Sequence, residues 1–166
     1  MKILKCLSLF VIGLVCAIFV YPFLHEAGHC IAIIAFGNRI EDLTLFPLPS
    51  VACTMSIDNI VSYIVIGVGG IIFPILISLI LRFKNFWLWY ALTVLRLICI
   101  WSLILSIVAS VMVKIGMPLS NDDMTMVLQK VPSCWWICGL IATILAVLII
   151  AAIFKTKPIE KINELI

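Results

Sequence analysis

Residues Leu4–Phe36 read LKCLSLFVIGLVCAIFVYPFLHEAGHCIAIIAF. About 20 apolar residues cross a bilayer as a helix, so this run spans a membrane with residues to spare. Within it lie His25-Glu26-Ala27-Gly28-His29, and these are the only two histidines of the chain. Four residues is slightly more than one helical turn, so both imidazoles project from one helical face and can hold one metal ion. Glu26, beside the first imidazole, can reach a metal-bound water and act as general base, the mechanics of the H-E-x-x-H zinc hydrolase signature. Two imidazoles and a carboxylate are costly in or beside hydrocarbon, which marks them as a functional site.

The rest of the chain has the same character. Hydrophobic residues make up 65% of the 166 residues and charged residues 11%, against about 25% charged in soluble domains. This is the composition of a multi-pass, all-α integral membrane protein, and the length allows one domain, 1–166. The basic residues are scattered and form no stripe that could follow a phosphate backbone, so no nucleic-acid partner is expected. Most of the seven cysteines lie in apolar runs, where cysteine packs as a small hydrophobe. Cys30 directly follows His29 and so points to a different face, which reads as packing. The start, Met1-Lys2-Ile3-Leu4-Lys5, looks like a signal peptide. Cleavage would discard or truncate the helix carrying the histidines, so the segment reads as a retained membrane helix.

Four apolar segments are long enough to span: Leu4–Phe36, Ile60–Leu81, Phe86–Val113 and Trp135–Phe154. Pro22 is expected to kink the first, and Gly37-Asn38 to stop it. Between the first and second, Ile40, Leu43, Leu45 and Val51 suit short strands, restricted to edges by Pro47 and Pro49. Between the third and fourth, Met124, Val127, Leu128 and Val131 recur at helical spacing. The tail, Ile159–Ile166, suits a short helix on the membrane surface. Trp87, Trp89, Tyr90, Trp135 and Trp136 read as interfacial belts. Lys2, Lys5, Arg82, Lys84, Lys155, Lys157 and Lys161 share one side of a four-span topology, with Arg39, Lys114 and Lys130 opposite. That asymmetry predicts both termini in the cytosol, with the two longer polar connections outside the cell membrane. Arg96 falls inside the third span, where it must pair with an acid or snorkel.

Zinc in a hydrolase usually has three protein ligands and one open position. The histidines lie near the outer end of their helix, where Glu41, Asp42, Asp58, Asp122 and Asp123 also fall. Asp122 and Asp123 are adjacent acids in a short polar break. Ser120 and Asp123 have capping-box spacing, which assigns Asp123 to the helix end and leaves Asp122 as third ligand. Asp123 is the alternative, ahead of Glu41, Asp42 and Asp58. Gly67, Gly69, Gly70 and Pro74 in the second span suit either a close helix approach or a helix break near the site.

An H-E-A-G-H in an apolar helix, a glycine-rich second span and a later aspartate at a membrane boundary resemble the site-2 protease group of intramembrane zinc metalloproteases. More narrowly, the chain resembles its small members without a PDZ domain. The resemblance implies zinc held by His25, His29 and Asp122, with Glu26 catalytic. It also implies hydrolysis of peptide bonds in or next to transmembrane segments of membrane proteins. Read from its own residues, the 38–59 connection is expected to hold an unwound substrate strand by edge pairing. The chain departs from the family in orientation, since the basic residues place the site nearer the outside where several members place it nearer the cytosol, and in two stretches of sequence. The distal aspartate is followed by Asp123 where glycine is usual, and Gly69-Gly70-Ile71-Ile72-Phe73-Pro74 does not reproduce a glycine-proline-asparagine pattern. The alternative expectation is a non-proteolytic zinc-binding membrane protein with a structural or accessory role.

Overall fold

A computed structural model describes residues 2–46, 49–54, 60–119 and 122–165. Pro47, Asp58 and Ser120, named above, lie outside these.

The first apolar run is one continuous helix over Lys2–Ala35. It is built from α1 (Lys2–Val15), a π turn (Cys16–Val20) and α2 (Tyr21–Ala35). Just before Pro22, where a kink is expected, the helix widens into this π turn. Pro22 has no N–H, and its ring crowds the carbonyl one turn back at Ile18; a wider turn, with Tyr21 N–H donating to the Cys16 carbonyl, accommodates both. The helix stops where glycine predicts. Gly37 takes φ 71°, its N–H donates to the Ile34 carbonyl, and Asn38 N–H donates to the Ile33 carbonyl. This is the Schellman pattern, which satisfies the last carbonyls and needs a left-handed residue.

The chain then turns back as an antiparallel hairpin, β1 (Arg39–Thr44) and β2 (Ser50–Thr54), in register Leu43 with Val51 and Ile40 with Cys53, with a bulge between Ile40 and Asp42. Next come α3 (Ile60–Ile80) and α4 (Phe86–Lys114), then the short α5 (Asp123–Lys130). A 3-10 turn (Pro132–Cys134) leads into α6 (Trp135–Phe154), and α7 (Pro158–Leu165) forms the tail. Among the described residues, four helices are long and apolar enough to cross a membrane: Lys2–Ala35, Ile60–Ile80, Phe86–Lys114 and Pro132–Phe154.

α3 and α4 form the centre of the bundle, because each carries a long buried stripe, Ser62 to Ser78 in α3 and Trp89 to Ser110 in α4. Leu92, Leu95, Cys99 and Leu103 pack with Ile71 and Ile75 of α3 and with Ala142 and Ile149 of α6. The first and fourth spans bury little: Leu7, Phe10, Leu140, Ile144, Val147 and Leu148 face outward. Helices apolar all round need an apolar solvent on their outer faces, which the bilayer supplies. α2 runs antiparallel to α3 at very close range. A Cβ at Gly28 would collide with the Gly69 carbonyl oxygen, and one at Gly69 would lie 2.9 Å from the Gly28 oxygen. The glycines of the second span therefore serve a close approach. They do not break α3, which stays helical through Pro74. Under the hairpin, Ile40, Val51 and Cys53 close over Ala32, Ile33 and Ile66.

Candidate metal centre

The helical spacing of His25 and His29 puts both imidazoles on the face of α2 that meets α3. Their Nε2 atoms lie 3.1 Å apart. Asp123 reaches them from the first residue of α5. Its Oδ2 lies 2.9 Å from His25 Nε2 and 3.2 Å from His29 Nε2. Three potential donor atoms thus form a nearly equilateral triangle, and among the described residues these three alone gather in this way. A tetrahedral ion with metal–ligand bonds of about 2.0–2.1 Å separates its ligand atoms by about 3.3 Å, so the triangle is close to one face of such a site.

Protonation strengthens this fit. His29 Nδ1 lies 2.7 Å from the Ile66 carbonyl oxygen. A carbonyl only accepts, so Nδ1 carries the proton and donates it there, leaving Nε2 with a lone pair aimed into the triangle. Asp123 is the one donor outside the spanning segments. A carboxyl group is ionised at neutral pH, so its Oδ2 brings negative charge to the triangle. Converging lone pairs and an anionic oxygen call for a cation at their centre. His25 Nδ1 is buried without a hydrogen-bond partner. Gly70 completes the cradle: a Cβ there would press on His29 Nε2 and lie 2.7 Å from His25 Nε2. Gly70→Ala is therefore expected to abolish metal binding. Gly139→Ala, where a Cβ meets nothing within 4 Å, should leave it unchanged. Elemental analysis of the two purified variants separates a blocked site from a general glycine effect.

The two aspartates are placed the opposite way round from the sequence expectation. Asp122, expected at the metal, is the N-cap of α5: its Oδ2 accepts from Thr125 N–H at 2.8 Å. Asp123, expected at the cap, faces the imidazoles. The physical reason is the geometry of a helix start. The N-cap residue is extended (φ −111°, ψ 130°), so its side chain folds back over its own helix, whereas the next residue is already helical and projects outward. Glu41 and Asp42 lie on β1, away from the triangle, and Glu160 pairs with Lys157 in α7 at 2.9 Å.

Glu26 is half-buried beside this triangle. It lines a cleft of about 310 Å³ together with His29 and Asp123. The walls are Ser50–Cys53 of β2, Tyr63, Ile66 and Gly67 of α3, and Met126 and Val127 of α5. The Val51 backbone N–H points to the Glu26 carboxylate. Sequence reasoning missed several of these parts: the Ile66 carbonyl, the contact between Gly28 and Gly69, and Tyr63 and Met126 as lining. Gly28 inside the histidine motif and the Gly67-Val68-Gly69-Gly70 run were the available signals for the helix contact. A backbone carbonyl leaves no signal in sequence.

No protein family, curated protein or solved structure matches this chain.

Proposed function

We propose that the chain is an intramembrane zinc metalloprotease that cleaves peptide bonds in or next to transmembrane segments of other proteins. The observation that carries this reading is the convergence of His25 Nε2, His29 Nε2 and Asp123 Oδ2 on one point, with Glu26 in the adjoining cleft. Zinc, when bound, supplies Lewis-acid polarisation of a carbonyl and makes water easier to deprotonate. Glu26 takes the proton from the attacking water and passes it to the leaving amine. His29 is held in its ligating tautomer by the Ile66 carbonyl, and Asp123 completes the donor set. β2 walls the cleft, so an extended substrate segment can lie along it and pair with its backbone. Apolar Ile66, Met126 and Val127 keep bulk water from the reacting bond.

A panel of single-span test proteins, incubated with the purified chain in detergent, tests the reading. Cleavage should stop when a chelator strips the metal and return on adding zinc. Chelator-resistant cleavage would overturn the zinc assignment. Bound zinc with no cleavage of any panel member would point to the accessory role. The orientation, with both termini cytosolic, is tested by a single cysteine at Ser50. It should be labelled from outside, and labelling only from the cytosol reverses it.

A further inference from the structure

At the other end of α3 lie positive charges that no carboxylate meets among the described residues. Arg96, in the third span, is 5% exposed. Its Nε donates to the Ser78 carbonyl at 3.0 Å. That carbonyl lies in the last turn of α3, so one N–H completes a helix end and faces its partial negative charge. The two terminal nitrogens of the guanidinium have no hydrogen-bond partner among the described residues.

Trp89 lies on the same face of α4, two turns toward the helix start. It is 3% exposed, and its indole N–H is buried with no partner. The Lys161 ammonium of α7 sits 4.7 Å from the centre of the Trp89 ring. Arg82 is exposed in the connection after α3, four residues beyond Ser78, whose carbonyl Arg96 contacts. Among the described residues no carboxylate pairs with Arg82, Arg96 or Lys161; Glu160 is held by Lys157. Buried cations and buried donors are normally paired. Here three cations and an orphan N–H lie at one end of the bundle, and among the described residues no carboxylate meets them.

Depth says where the anion comes from. α4 has 29 residues and is about 43 Å long, against about 30 Å of hydrocarbon. Arg96 begins about 15 Å from the start of α4. Side chains on a helix lean toward its N-terminus, so the guanidinium rises toward the headgroup layer. A guanidinium fork matches two oxygens of one phosphate, and the indole N–H and ammonium suit its remaining oxygens.

We propose that Arg96, Arg82, Trp89 and Lys161 form a binding site for a phosphate group, presented by an anionic phospholipid headgroup or by free phosphate. The site is independent of the metal centre and of the proteolytic reading.

The test is thermal unfolding of the purified full chain in neutral detergent, titrated separately with phosphatidylglycerol, phosphatidylcholine and inorganic phosphate. Phosphatidylglycerol should raise the unfolding temperature saturably, and phosphatidylcholine should not. If millimolar inorganic phosphate reproduces the shift, the group is free phosphate; if only the anionic lipid does, it is the headgroup. Arg96→Gln should weaken the apparent affinity by about tenfold or more. Because that variant also loses the contact to Ser78, two gentler variants decide the matter. Trp89→Phe keeps a ring under Lys161 but removes the N–H, and Arg82→Gln changes an exposed residue. Each should weaken affinity by about threefold to tenfold. An equal response to both lipids, or an unchanged phosphatidylglycerol response in both gentler variants, would overturn the site.

Discussion

Glu26→Gln is expected to lower cleavage by about a thousandfold while leaving the metal bound. Positioned acid–base groups typically contribute about 10²–10⁴ in rate, and the amide cannot accept the proton that a carboxylate takes. Metal binding should survive because Glu26 stands outside the triangle of His25, His29 and Asp123. Glutamine also keeps the shape of the side chain beside the Val51 N–H, so β2 should stay in place. The measurement pairs initial cleavage rate with zinc per chain on the same preparation. A variant that cleaves near the wild-type rate would remove Glu26 as the base. A variant that loses its zinc would place Glu26 in the donor set instead.

The second large effect is a contrast between neighbours. Asp123→Ala removes the one oxygen that approaches both imidazoles. A structural zinc site is worth about 10–16 kcal/mol over four ligands, so losing one ligand should weaken zinc binding by about 10²–10³-fold. Asp122→Ala removes only the cap on Thr125 N–H, which should cost about 1 kcal/mol of stability. Its zinc affinity should stay close to wild type. Competition against a chelator of known affinity reads the first quantity, and thermal unfolding of the metal-free protein reads the second. Equal losses of affinity would mean that α5 positions both carboxylates together, and a larger loss for Asp122→Ala would overturn the geometry.

These two experiments probe different layers of legibility. The spans were readable because a bilayer accepts only long apolar helices, so Ile60 and Phe154 mark boundaries almost without regard to packing. The paired histidines were readable because four residues of one helix fix which face they share, whatever lies opposite. The stop at Gly37 was readable because a left-handed backbone strongly favours glycine. The hairpin was legible as strand-forming residues, but not in its register.

The assignment of Asp122 and Asp123 was not readable in this way. Both acids suit a helix start, and which one caps depends on where α5 begins. Met124, Thr125, Val127 and Leu128 are buried in the bundle, and that packing sets the start at Asp123. Once it is set, the extended N-cap turns Asp122 back on its own helix and sends Asp123 across to α2. In the same way, Gly28 and Gly69 are ordinary glycines until two backbones must touch, and Gly70 until two imidazoles must face it. Local sequence by itself determined what each helix is and which faces it carries, because those follow from period and solvent. Only the tertiary structure decided which atoms from different helices share one point, because that depends on how closely the backbones pack.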